Sequence, residues 1–235
     1  MEKVQRLDGG GSECGIIVEF RPASQMLITD DSNAPTGGWS SVNLVDATLY
    51  IDYIFLDSEE RRLFSRNPHE YLIEQLQFTG AESFNNSAIR QTLNFSHPCK
   101  ELIWVLQLNS AATANNWIDW SDGSGHGPVD GPNGSAKIQL NTSDRISQRG
   151  GQYFNQLQPY WHHTRCPKVG IYVYSFALNP EEHQPSGSIN MSRIESTTLV
   201  LNVTTGTSPL MVYTYARNYN ILRIASGMGG LAYAS

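Results

Sequence analysis

Charged residues are scarce in this sequence: Asp, Glu, Lys and Arg make up 16% of it, while 40% is hydrophobic and 10% aromatic. That is ample apolar material for an ordered core and excludes a disordered tail. With so little charge, the surface must be rich in Asn, Ser, Thr and Gln, and such a surface suits being covered by neighbours. Basic residues are outnumbered, and the net charge of −6 argues against a dedicated nucleic-acid face, because phosphate binding needs clustered Lys and Arg. The one tight basic group, Arg61, Arg62 and Arg66, sits beside Glu59 and Glu60 and is self-compensating.

Cysteine is nearly absent. Cys14, Cys99 and Cys166 are odd in number and lack paired spacing, which argues against a disulfide framework and for a reducing compartment. The first six residues, Met1 to Arg6, carry no apolar core of a signal peptide. No apolar run approaches the roughly 20 residues needed to cross a bilayer. The expectation is a soluble chain with no transmembrane segment and no address for secretion. Internal repeats and low-complexity blocks are missing as well.

What is present is a succession of short β-type runs separated by polar, Gly- and Pro-containing stretches. Residues 44–56 alternate well, with Val45, Ala47, Leu49, Ile51, Tyr53 and Phe55 on one face. Further strands are expected at 70–78, 89–95, 101–108, 136–140, 170–178, 197–203 and 210–224, the last interrupted near Asn218. About eight antiparallel strands with short helices and long loops make an all-β, jelly-roll sandwich. One helix is expected from Asp57, as N-cap, to about Arg66, and another over 152–163. Both are too short for the crossover layer of a parallel α/β fold.

Residues 1–42 behave differently: 1–15 are polar and glycine-rich, and 16–20 form an isolated strand. They read as an N-terminal extension, the remnant of a preceding sandwich plus a linker, with the main domain over 43–235. The long segment 109–135 holds five glycines between 123 and 134, plus Pro128 and Pro132, and reads as an exposed loop. Cutting 119–133 to a short linker is expected to leave the sandwich folded.

Chemistry is hard to find. His162, His163 and Cys166 are the best metal candidates, with His126 or His183 as a further ligand. Adjacent helical histidines point roughly 100° apart, however, and packing onto a sheet is the better reading. Asp119, Asp122 and Asp130 lack the ligand set and terminal Glu of a calcium loop. The glycines around Ser226 are not followed by the Lys and Ser/Thr of a phosphate loop. Asn85, Asn94, Asn133, Asn141, Asn190 and Asn202 open Asn-x-Ser/Thr sequons, which Asn- and Thr-rich chains produce by chance. Trp117, Trp120 and Trp161 are candidates for stacking on sugars, though core or interface anchoring is commoner. No catalytic, cofactor or metal residues are assigned, and no cofactor is expected.

Four segments carry a resemblance: 52–62 (DYIFLDSEERR), 69–77 (HEYLIEQLQ), 184–194 (QPSGSINMSRI) and 219–233 (YNILRIASGMGGLAY). In sequence and in order they resemble the major capsid proteins of the nucleocytoplasmic large DNA viruses, from about residue 43 to the C-terminus. Met191 stands where that family usually has an aromatic residue, a volume-tolerant change. Most of a first jelly roll is missing.

The resemblance implies tandem jelly rolls, trimers that form pseudo-hexagonal capsomers, and an icosahedral shell assembled in the host cytoplasm. Implied partners are further copies, neighbouring capsomers, minor capsid proteins and an N-terminal jelly-roll half. Loop 109–135 is implied as an exposed tower or an intersubunit contact. The Gln184–Gly187 segment reads as a tight turn, and Ser192 and Arg193 as groups that fix a strand entry by hydrogen bonding. Other readings are a glycan-binding jelly-roll module, a viral assembly scaffold on membranes, and a metal-dependent enzyme.

Overall fold

The computed structural model describes residues 2–6, 15–26, 38–114, 116–204, 209–226 and 228–233. In chain order its elements are β1 (Glu2–Arg6), β2 (Gly15–Glu19), α1 (Ala23–Met26), α2 (Ser58–Arg66), β3 (His69–Phe84), β4 (Ala88–Leu93), β5 (Pro98–Leu108) and α3 (Asn109–Thr113). There follow β6 (Ser135–Leu140), β7 (Ser143–Arg149), a π-helical turn (Tyr153–Leu157) running into α4 (Gln158–His162), and β8 (Ile171–Ser175). The chain closes with β9 (Ile189–Asn190), a 3-10 turn (Met191–Arg193), β10 (Thr197–Asn202), β11 (Leu210–Ala225) and β12 (Met228–Leu231). It divides into two compact units, residues 73–220 and residues 1–72 with 221–234.

Residues 73–220 form the sandwich. One sheet has the order β4-β10-β6-β7; the other centres on β5, flanked by β11 and β8, with β3 beside β11 and β9 on β5. Every pairing with a determined register is antiparallel. The facing strands alternate as a half-buried sheet requires: β4 and β10 bury every second residue, and so does β11 as far as Asn218. Ile89, Leu199, Leu201 and Ile138 from the first sheet meet Leu102, Trp104, Leu106 and Val212 from the second in one core. β5 is the central strand and is covered on both faces.

The predicted interruption near Asn218 is a β-bulge. Arg217 pairs with Glu101 but Asn218 pairs with Cys99, so Lys100 is the extra residue. The bulge reverses the alternation. Cys99 turns into the core, where burial pushes its thiol up to about 12, and Lys100 is aimed at Glu74.

The other unit is described by itself. Here β1 pairs with β2, so the strand expected to be isolated has a partner in a segment read as polar loop. The backbone of β1 takes a place in a ladder that its composition did not announce. The helix expected after Asp57 is α2, and the Asp57 carboxylate accepts the Glu60 N–H at 2.8 Å. Arg223 and Glu70 form an exposed ion pair at 2.7 Å, and β12 folds back on 222–225.

One expectation fails here. Residues 44–56 form no strand; they run as exposed chain, with Val45 98% and Phe55 88% accessible. Alternation creates a face for a sheet, but a strand exists only when a neighbour takes its hydrogen bonds, and none does among the described residues. Strand β7 was missed for the opposite reason: Ser143–Arg149 is polar along its length and lies at a sheet edge, where burial does not mark it. Cys14 and residues 29–37 lie outside the described residues.

Candidate functional site

The densest polar constellation in the sandwich is a chain of charges on the outer face of the β5 sheet. The Arg217 guanidinium bridges Glu74 (2.7 Å) and Glu101 (2.6 Å). Lys100 closes on the other Glu74 oxygen, and His163 Nε2 meets Glu101 at 2.7 Å. The Lys100 and Glu101 side chains are almost completely buried. Burial pushes the Glu101 carboxyl up, but His163 and Arg217 outweigh it and hold the group below the ordinary carboxylate value. Glu74 follows the same pattern: burial is offset by Lys100 and then Arg217. For Arg217, burial is outweighed by the two carboxylates, which raise its pKa further. Each member is bonded to another, so the group is a clasp that ties β3, β5 and β11 to the end of α4.

The metal candidates are employed elsewhere. His162 Nδ1 lies 2.8 Å from the Leu178 carbonyl oxygen, His163 is in the clasp, and exposed Cys166 donates a long hydrogen bond (3.6 Å) to the Gln156 carbonyl. His126 and His183 are exposed. Among the described residues no group of three or more His, Cys, Asp or Glu is placed to hold a metal. Asp119 and Asp122 organise their own turns: Asp119 accepts the Ser121 N–H, and Asp122 accepts those of Ser124 and His126. Trp120 meets Tyr213 edge-on at 6.0 Å, the Trp117 carbonyl accepts from Gln107, and Trp161 is exposed on α4.

Three sequon asparagines have structural work. Asn141 accepts from Ser196, Asn190 caps the turn at Ser192, and Asn202 donates to Ser135. Of the two residues expected to fix a strand entry, Ser192 makes such a bond: its Oγ accepts the His97 N–H just ahead of β5. In the Gln184–Gly187 segment, Ser186 Oγ ties back to Asn179 through both its N–H and its carbonyl.

The loop expectation needs correction. The later part of 109–135 is built into the sandwich: Val129 is a fully buried core residue, and its N–H donates to the Tyr172 hydroxyl at 3.1 Å. Its carbonyl takes the Gly151 N–H, and Pro128 takes that of Thr204. Glycine was a poor guide here, because Gly134 and Gly151 are small to let chain pass beside Val129 rather than to loosen it. Removing 119–133 is therefore expected to unfold the sandwich or cost it several kcal/mol, on the order of a large core truncation. Excising 121–126 alone is expected to shift the melting temperature by no more than about 2–4 °C, roughly 1 kcal/mol at this size. Thermal melts of the two deletions check this.

The clasp was missed from sequence, although a signal existed. Lys100, Glu101 and Arg217 interrupt runs that otherwise read as buried strands, and charges there must find one another.

A sandwich of this kind, braced by buried ion pairs, matches one family model over residues 60–230: large eukaryotic DNA virus major capsid protein. The chain belongs to that family. It is similar to the major capsid protein of Pyramimonas orientalis virus, at 46% identity over 94% of this chain and 57% of that one. It is also similar to that of Paramecium bursaria Chlorella virus 1, at 41% identity over 80% of this chain and 54% of that one. Among solved structures, the PBCV-1 virus capsid matches at 37% identity and a TM-score of 0.62, covering 78% of this chain and 56% of that one. The Faustovirus major capsid protein, 15% identical with a TM-score of 0.57, shares the fold. The chain thus spans a little more than half the length of these curated relatives. The jelly-roll expectation is borne out.

Proposed function

We propose that the chain acts as a structural subunit of a viral shell, the C-terminal jelly-roll part of a major capsid protein, and not as an enzyme. The observation that carries this reading is the family match across the whole sandwich. The polar interior supports it, since the buried charges are spent on holding strands together. On this reading the subunit works by rigidity and by lateral contact. Three copies form a pseudo-hexagonal capsomer, capsomers and minor capsid proteins complete the shell, and assembly takes place in the host cytoplasm. The net charge of −6 favours protein neighbours over direct contact with nucleic acid. Among the described residues no helix is long and apolar enough to cross a membrane.

We further assign residues 43–235 to this jelly-roll part and 1–42 to a remnant of a preceding one. The exposed alternating run 44–56 supports an N-terminal jelly-roll half as partner. Its apolar side chains are arranged for a sheet, and a strand supplied from outside would take up backbone groups that no described strand pairs. Native mass spectrometry of capsomers released from virions is expected to give assemblies of three subunits, and electron microscopy of the particles to place this sandwich in the shell. A stable monomer absent from the particle would overturn the reading.

A further inference from the structure

One turn of the sandwich is held against its own preference. His97 has a φ of +67°, the left-handed region that residues other than glycine rarely adopt. It also precedes Pro98, and a proline favours extended backbone at the position before it. Such a conformation lasts only where the surroundings impose it.

Here they impose it from two sides. Gln77 on β3 grips Ser96: its Nε2 donates to the Ser96 carbonyl at 2.6 Å, and its Oε1 accepts the Ser96 N–H at 3.0 Å. On the other side the His97 N–H donates to Ser192 Oγ at 2.8 Å, and the His97 carbonyl accepts the Met191 N–H at 3.0 Å.

The second grip belongs to a slender piece of chain. Strand β9 is two residues long and pairs with Pro98 and Cys99, and Pro98 has no N–H to give. In the 3-10 turn that follows, Asn190 Oδ1 accepts the Ser192 N–H, and Met191 is sunk into the core. Residues 181–185 ahead of it are exposed. Segment 189–193 thus closes over the start of β5 and fastens a turn that would relax if let go. The clasp, by contrast, ties β3, β5 and β11 through charges that lie outside this segment.

We propose that segment 189–193 is a releasable strap, which opens from the start of β5 while the rest of the sandwich stays folded, favoured by relaxation of the His97 turn. Opening uncovers the Ile189 and Met191 side chains and the strand edge at Cys99, which the closed form hides. The strap is a property of the single chain and does not depend on the capsid reading.

Cys99 reports the opening. It is fully buried, and its cross-strand partner Ile189 packs against the same core. The test is alkylation of the full chain by iodoacetamide in low urea, with modification at Cys99 followed by peptide mass spectrometry. In wild type the Cys99 rate is expected to stay nearly level as urea rises, because a strap exposes little surface. Ser192→Ala removes the acceptor of the His97 N–H and is expected to raise the rate about 10-fold. Val212→Ala removes core methyl groups where β11 pairs with Leu106, far along the ladder from Cys99. It lowers global stability and is expected to leave the Cys99 rate within about 2-fold of wild type. Circular dichroism verifies the fold of each variant. A Cys99 that reacts only as the whole chain unfolds, its rate climbing steeply with urea, would overturn the strap. So would a Ser192→Ala rate equal to wild type, or an equal acceleration by Val212→Ala.

Discussion

Replacing Trp104 by alanine is expected to destabilise the sandwich by about 3–5 kcal/mol, the range for removing a large aromatic side chain from a packed core. Trp104 is fully buried at the middle of β5, edge-on to Phe154 at 5.1 Å and stacked near Tyr172 at 6.0 Å. It thereby ties β5 to the π-helical turn and to its neighbouring strand β8. Alanine would leave a cavity walled by the rings of Phe154 and Tyr172, whose packed backbone cannot collapse to fill it. At this chain size the loss corresponds to a fall in melting temperature of roughly 6–20 °C.

Trp104→Phe provides the control. The indole Nε1 has no hydrogen-bond partner among the described residues, so phenylalanine deletes an unsatisfied buried donor along with some volume. The two effects oppose each other, and the expected cost is below about 1.5 kcal/mol. Equal losses from the two variants would mean that the ring contacts are not what matters. Denaturant melts of both, compared at one temperature, decide this.

The sandwich was legible because burial writes itself into sequence with a period of two. Residues 197–203 and 210–224 read as β-type runs, and both proved to be strands that bury every second side chain, β11 as far as Asn218. The interruption at Asn218 showed for the same reason: Arg217, Asn218 and Asn220 break an apolar run, and a bulge lies there. Polar β7 carries no such imprint, and its place depends on the backbone of β6 beside it. Residues 44–56 teach the converse lesson. They carry the imprint strongly, yet stay exposed where no described strand pairs with them. Pattern reports which face a segment can bury, while pairing depends on what else is there to meet it. For the clasp, the sequence showed charges within buried runs but not which of them meet. Glu74, Glu101, His163 and Arg217 come from four distant places in the chain, and only sheet register and the end of α4 bring them together.

Arg217→Met is expected to be about as damaging as the loss of Trp104, and its cost is expected to depend on pH. Two carboxylates share that guanidinium, and the Glu101 side chain is 1% exposed. Methionine preserves much of the volume of the arginine stem but leaves Glu101 with His163 alone. Removing one partner of a buried ion pair costs about 3–5 kcal/mol, because the remaining charge is uncompensated. The pH dependence follows from the depressed carboxyl groups. Glu74 and Glu101 hold their protons less tightly in the folded chain than when unfolded. Their contribution is therefore fully present above the unfolded value of about 4.3, and it is lost as pH falls through the lower folded values. Wild type should lose stability steeply across that acid range. In Arg217→Met, burial acts on Glu101 with less opposition, so its carboxyl rises and accepts a proton sooner. The penalty of the substitution should then be largest near pH 7 and shrink towards pH 4. Urea melts of both chains from pH 7 to pH 4 measure it, and a penalty constant across that range would show that Arg217 acts through packing and not through the charges it joins.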